Sequence, residues 1–117
     1  MVSELSEQMA VVRALRKSKI LFCAVPNGGW RDKRGARMLK ASGVVRGVPD
    51  LLIFDPPPLR EAVGVALELK REKGGSVSPE QQRWLQELNA RGWVAIVARG
   101  AADALRQLRE LGFEVRT

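Results

Sequence analysis

Two short apolar runs, separated by a proline-rich connection, limit the fold more than any other part of the chain. They are Gly47-Val48-Pro49-Asp50-Leu51-Leu52-Ile53-Phe54 and Gly64-Val65-Ala66-Leu67-Glu68-Leu69-Lys70. Both are rich in Val, Leu and Ile and bounded by Gly, Pro and Asp, which is strand composition with strand punctuation. The connection, Asp55-Pro56-Pro57-Pro58-Leu59-Arg60-Glu61, is turn chemistry, so the two runs are expected to form a hairpin. Alternation in the second run predicts Val63, Val65, Leu67 and Leu69 on an apolar underside. Gly64, Ala66, Glu68 and Lys70 then share the other face, with room for a ligand. Pairing Phe54 with Val63 sets Asp50 across from Leu67, within one residue of Glu68, on strands about 4.8 Å apart.

Two carboxylates this close repel each other unless a proton or a cation lies between them. A hard divalent cation such as Mg2+ suits oxygen ligands, and the Lys70 ammonium beside it is able to hold a water or offset developing negative charge. Each residue alone has an ordinary explanation: Asp50 as a turn residue, and Glu68 with Lys70 as a solvated strand edge. In the order Pro-Asp…Glu-x-Lys on hydrophobic strands, the three resemble the arrangement of the PD-(D/E)xK nucleases.

The rest of the chain bounds that reading. Its 117 residues, 45% hydrophobic, fit one domain spanning 1–117 with a small core. Twenty Lys and Arg against 13 Asp and Glu give a net charge of +7, which favours a polyanionic partner, nucleic acid first. The chain has no histidine and no tyrosine, which excludes histidine-base nucleases, tyrosine recombinases and Cys/His zinc sites. Any hydrolysis must run on carboxylates, lysine and metal. The single cysteine, Cys23, lies in an apolar run, is expected to be a small core residue, and fits a reducing, cytoplasmic setting. No apolar run reaches the roughly 20 residues needed to span a bilayer. Glu4 and Glu7 stand where a signal peptide carries basic residues, so none is expected.

Ser3 to Lys17 reads as an amphipathic helix capped by Ser3, with Leu5, Met9, Val12 and Leu15 as its apolar stripe. Glu4 and Gln8 lie on an adjacent face, able to look toward the acids; Glu4 is equally explained as a helix-start acid. Ile20 to Val25 is a strand stopped by Pro26-Asn27-Gly28-Gly29. The segment Trp30 to Lys40 is basic, with Arg31, Lys33, Arg34, Arg37 and Lys40, and its second half reads as a short helix ending near Ser42-Gly43. Trp30 offers a flat ring for stacking, so this stretch is either a nucleic-acid contact or a solvated helix.

Arg71-Glu72-Lys73-Gly74-Gly75-Ser76 is expected to be a mobile basic loop beside the proposed metal. Ser78-Pro79-Glu80-Gln81 opens a helix with apolar Trp84, Leu85 and Leu88. Gln81 either closes a capping box or faces the acids, two roles that compete for one side chain. Trp93 to Ala98 lacks alternation and is expected to be a central strand. Ala101 to Leu111 is the last helix, and Phe113-Glu114-Val115 offers a short edge strand. The fold class is α/β, with a mixed central sheet flanked by helices.

The combination of V-P-N-G-G from Val25, L-K-A-S-G-V-V-R-G-V-P-D-L-L-I-F, A-L-E-L-K, S-P-E-Q-Q and G-W-V-A-I-V-A resembles the VRR-NUC domain family, a branch of the PD-(D/E)xK superfamily. The resemblance covers nearly the whole chain, as in a stand-alone bacterial or phage member. It implies a restriction-endonuclease-like core and metal-dependent cleavage of DNA phosphodiesters. Asp50, Glu68 and the main-chain carbonyl of Leu69 would hold Mg2+ or Mn2+, and Lys70 would position or activate the attacking water. Glu4 and Gln8 match the family's first-helix acid and glutamine, and Gln81 matches the glutamine after the ELK strand. Asn27, Trp30, Arg31, Lys33, Arg34, Arg37 and Lys73 are the expected DNA-contacting residues. Stand-alone members resemble Holliday-junction resolvases and often form homodimers, so branched DNA and a homodimer are the expected partner and assembly. Three alternatives stay open: a DNA-binding module of nuclease fold that does not cut, an RNA-directed nuclease, and a partner-binding protein with surface acids.

Overall fold

A computed structural model describes residues 3–26 and 33–117, and among these residues there are four strands and four helices. Helix α1 (Glu4–Lys17) leads to β1 (Phe22–Ala24), α2 (Lys33–Ala41), β2 (Leu51–Ile53) and β3 (Val65–Lys70). Helix α3 (Pro79–Ala90), β4 (Val94–Arg99) and α4 (Ala101–Glu110) follow. The sheet order is β1-β2-β3-β4, with β1–β2 and β2–β3 antiparallel and β3–β4 parallel, so the sheet is mixed. The parallel step is made by the α3 crossover, the standard way to return a chain to the same end of a sheet.

Strand β3 lies between β2 and β4 and is buried along its whole length. Its Val65, Leu67 and Leu69 pack with Val11, Ala14 and Leu15 of α1 and with Ala104, Leu105 and Leu108 of α4. That apolar layer is the core. The opposite face, carrying Gly64, Ala66, Glu68 and Lys70, is not open as expected. Glu68 is 1% exposed and Lys70 8%, because α3 and Trp93 cover them and their neighbours. A Cβ on Gly64 would lie 2.9 Å from the Trp93 ring, so the smallness of this position serves packing.

Several expectations are corrected. The buried stripe of α1 is Val11, Ala14 and Leu15, while Leu5 and Met9 are exposed. The helix docks on α4 and β3 through its second half, and that contact sets its rotation. Strand β4 is an edge strand of the described sheet rather than a central one. It lacks alternation because α3 and α4 cover its two faces. Phe113 and Val115 are buried but form no strand; Phe113 N–H bonds back to Leu108 O, so the segment closes onto α4 instead of a neighbour. Cys23 is exposed, because β1 has a short edge strand's poor cover. The Asn27-Gly28 turn lies outside the described residues. No helix of the described residues is long and apolar enough to cross a membrane.

Candidate active site

The register of the hairpin brings the two acids closer than expected. Leu51 pairs with Leu67 and Ile53 with Val65, so one residue further along Asp50 stands level with Glu68, not with Leu67. The shift arises at the turn. Phe54 N–H bonds outward to Leu21 O and Val63 N–H outward to Gly92 O, so these two residues do not pair with each other. Asp50 is then fixed from both sides. Its carbonyl accepts from Val25 N–H at 2.9 Å, and its Oδ2 accepts from Leu69 N–H at 2.8 Å.

Glu68 is held by α3. Gln81 Nε2 donates to Glu68 Oε2 at 3.1 Å, and Gln81 Oε1 accepts from Lys70 Nζ at 3.1 Å. The same Oε1 accepts from Ser78 N–H at 2.9 Å, while Ser78 Oγ accepts from Gln81 N–H. A backbone N–H only donates, so it fixes which end of the amide is oxygen and turns the NH2 toward Glu68. The two roles set against each other on sequence grounds are therefore both carried by Gln81. The amide has enough donors and acceptors for the capping box and the acids at once.

Lys70 Nζ lies 3.5 Å from Glu68 Oε2, both nearly buried. The ammonium does not cancel the cost of enclosing the carboxylate. Burial first, then the negative charge of Asp50, then a hydrogen bond to Asp50 that only the protonated acid donates, push the Glu68 carboxyl up to about 8. Lys70 opposes them by charge and by hydrogen bonding.

Glu4 completes the group. One oxygen each from Glu4, Asp50 and Glu68 lie within 4.8 Å of one another. Glu4 and Gln8 line a hollow of about 560 Å³ together with Asp50, Ala24 at the end of β1 and Val25 just beyond it. Among the described residues, Glu68 Oε1 is the one buried side-chain oxygen or nitrogen without a hydrogen-bond partner. A buried carboxylate oxygen with a vacant lone pair, flanked by two further carboxylates, fits a hard divalent cation.

The structure thus brings together Glu4, Asp50, Glu68, Lys70 and Gln81, with Leu69 between the last strand acid and the lysine. Among the expected DNA-contacting residues, Asn27, Trp30, Arg31 and the side chain of Lys33 lie outside the described residues. Arg34 and Arg37 are exposed on α2, and Lys73 is exposed on the loop after β3. That loop is pinned rather than free. The Arg99 guanidinium donates to the carbonyls of Arg71, Gly74 and Gly75. Arg99 carried no sequence signal, since the pairing joins loop carbonyls to a strand-end side chain 24 to 28 residues away.

Helix placement rests on two close approaches. Gly47 has φ +91°, and a Cβ there would meet Glu80 main-chain atoms at 2.7 to 2.8 Å, so this glycine lets the first turn of α3 settle against the backbone that leads into Pro49-Asp50. At the same end of the sheet, Glu7 Oε2 accepts from Ala101 N–H at 2.6 Å, tying α1 to the start of α4.

These features agree with comparisons to known proteins. A solved structure of a VRR_NUC domain protein superposes with a TM-score of 0.71 at 24% identity, covering 94% of this chain and 90% of that one. No curated protein matches the chain significantly. The family model of the VRR-NUC domain matches residues 2–102. With a mixed four-stranded sheet flanked by helices in the restriction-endonuclease-like manner, the chain belongs to the VRR-NUC domain family.

Proposed function

We propose that the protein is a metal-dependent endonuclease that hydrolyses DNA phosphodiesters, with a preference for branched DNA. The observation that carries this reading is the environment of Glu68. An enclosed carboxylate has one oxygen on Gln81, the other without a partner, and Asp50 and Glu4 alongside. An arrangement that raises a buried acid so far is costly unless a ligand is meant to relieve it.

Asp50, Glu68, the Leu69 carbonyl and Glu4 would hold Mg2+ or Mn2+, and when bound such an ion lowers the pKa of water and offsets charge on the phosphate. Asp50 is kept in position by Leu69 N–H on its carboxylate and by Val25 N–H on its carbonyl. Gln81 orients both Glu68 and Lys70 from a helix start. Lys70 supplies a fixed positive charge able to hold the attacking water or meet developing negative charge. Arg34, Arg37 and Lys73, with Asn27, Trp30, Arg31 and Lys33, would contact the DNA backbone.

We also propose that residues 1–117 act as one domain in the cytoplasm. A homodimer would place two centres against the two strands of a junction, and two-fold dimers are the commonest oligomers.

The test is a panel of linear duplex, flap and four-way-junction DNAs, with RNA as competitor, incubated with Mg2+, Mn2+ or EDTA. Cleavage confined to the divalent ions and strongest on branched DNA is the expected result. Binding without cleavage would replace the enzyme by a DNA-holding module of the same fold.

A further inference from the structure

A second concave surface lies outside the acid cluster, between α3 and the segment that follows α2. It is a trough of about 600 Å³ lined by Val45, Arg46, Arg83, Trp84, Leu88 and Arg91, with Glu80 and Glu87 also on its wall. The α3 residues recur three, four and seven apart, so one whole face of that helix forms one wall. A smaller hollow of about 380 Å³, reaching Ala36 and Lys40 of α2, shares Val45 and Arg46 with it and extends the trough toward the basic helix.

Its chemistry is mixed in a particular way. The floor is apolar: Val45, Leu88 and the Trp84 ring, with no α3 residue fully buried against the sheet. The rim is cationic. Lys40, Arg46 and Arg83 form no ion pair among the described residues, whereas Arg91 is matched by Glu87 at 2.9 Å. Glu80 is left as the one acid on this wall outside an ion pair, so the surface is net positive. Positive side chains beside an aromatic ring and aliphatic floor are what unstacked bases and their phosphates require. A duplex buries its bases and has no use for the floor.

The trough also leads to the acids. Its Glu80 end is the first turn of α3, the turn that Gly47 admits and from which Gln81 reaches Glu68 and Lys70. We infer that this trough holds an unpaired DNA strand, with Trp84 stacking on a base and Arg46 and Arg83 on phosphates, so that the substrate's single-stranded arm leaves the acid cluster along α3. The inference rests on the nuclease reading and names the part of the substrate that reading leaves open.

Binding is measured in EDTA, where a metal-dependent enzyme does not cut, by fluorescence anisotropy with labelled short oligo-dT and with a blunt duplex. Trp84→Ala should weaken oligo-dT binding about tenfold and Trp84→Phe far less, since one stacked base is at stake. Arg46→Ala with Arg83→Ala should lower the salt slope for oligo-dT by about 1.4, roughly 0.7 for each phosphate on a single strand. Duplex binding should change less than twofold in all of them. Circular dichroism checks that each variant folds, and the arginine pair decides if Trp84→Ala does not. Unchanged oligo-dT affinity and slope would overturn the inference. So would loss of a dimer on sedimentation in Trp84→Ala at unaltered oligo-dT affinity, which would assign the trough to a second copy of the chain. These results are separable from failure of the nuclease reading. Wild-type cleavage in Mg2+ with a trough indifferent to oligo-dT sinks only the trough. Trp84-dependent oligo-dT binding with no cleavage of any substrate sinks only the nuclease.

Discussion

Gln81 donates from its amide nitrogen to the Glu68 carboxylate at 3.1 Å, from the same first turn of α3 in which its amide oxygen caps the helix. Helix stability and the orientation of a buried acid are therefore one structural event. Changing either partner has effects that the other reports.

Gln81→Ala should lower stability by about 1–3 kcal/mol, because Ser78 N–H and Lys70 lose their acceptor together. DNA cleavage should fall as well. Gln81→Glu keeps the acceptor for Ser78 but sets an anion against Glu68, so it should preserve the cap and still depress cleavage. Thermal unfolding in EDTA and a cleavage assay read the two effects separately. Equal, full activity in both variants would remove Gln81 from the site.

Asp50→Asn and Glu68→Gln should each reduce cleavage by about a thousandfold or more, since each replaces a proposed anionic metal ligand by a neutral amide of the same shape. Both should still bind DNA. Glu68→Gln should also fold at least as well as the parent without metal near neutral pH, because no carboxyl then has to take up a proton on folding. Wild-type cutting by either variant would mean that the acids lie elsewhere.

The pH dependence follows from the raised Glu68. A carboxyl whose folded value, about 8, lies above its ordinary 4.5 favours the native state fully below 4.5, and that contribution is lost as pH rises through 8. In EDTA the protein should lose stability, on the order of a few kcal/mol, between pH 5.5 and 8.5. With no histidine in the chain, few other side chains titrate in that window. Glu68→Gln should flatten the profile, and Mg2+ should stabilise the parent more at pH 8.5 than at 5.5. A flat melting profile for the parent in EDTA would contradict the enclosed, metal-free carboxylate.

Gly47→Ala should destabilise by about 1–3 kcal/mol and depress cleavage, since φ +91° disfavours any side chain and the new Cβ meets Glu80 main chain at 2.7 Å. The helix start that carries Gln81 must then move. Gly43, also at positive φ but with nothing within 4 Å, is the control: Gly43→Ala should cost stability through its backbone alone and leave cleavage intact. Equal losses of cleavage in the two variants would show that strain alone, not displacement of α3, is responsible.

Much of this architecture was legible in local chemistry. Ser3 and Ser78 announce α1 and α3 as caps, and the structure has both hydrogen bonds. Glu68 and Lys70 sit on a strand whose composition specifies it, and Asp50 stands immediately before another. What was illegible depends on distant partners. The rotation of α1 follows from α4, which contacts it only in the folded chain, so Leu5 and Met9, on the apolar stripe of the sequence, lie outward. The edge position of β4 and the one-residue shift of the hairpin depend on which strand each backbone group bonds to, and sequence periodicity carries no such information. The double duty of Gln81 needed the geometry of an amide with both ends in use.

The bond from Glu7 to Ala101 N–H spans nearly the whole described chain and has a consequence for synthesis. Glu4 sits one turn before Glu7 on the same helix, and α1 gains its dock only when α4 exists to receive it. A growing polypeptide displays Asp50, Glu68 and Lys70 long before that. Glu4 therefore takes its place beside Asp50 and Glu68 only once α4 has docked, so the three acids come together late in folding although two of them are made early.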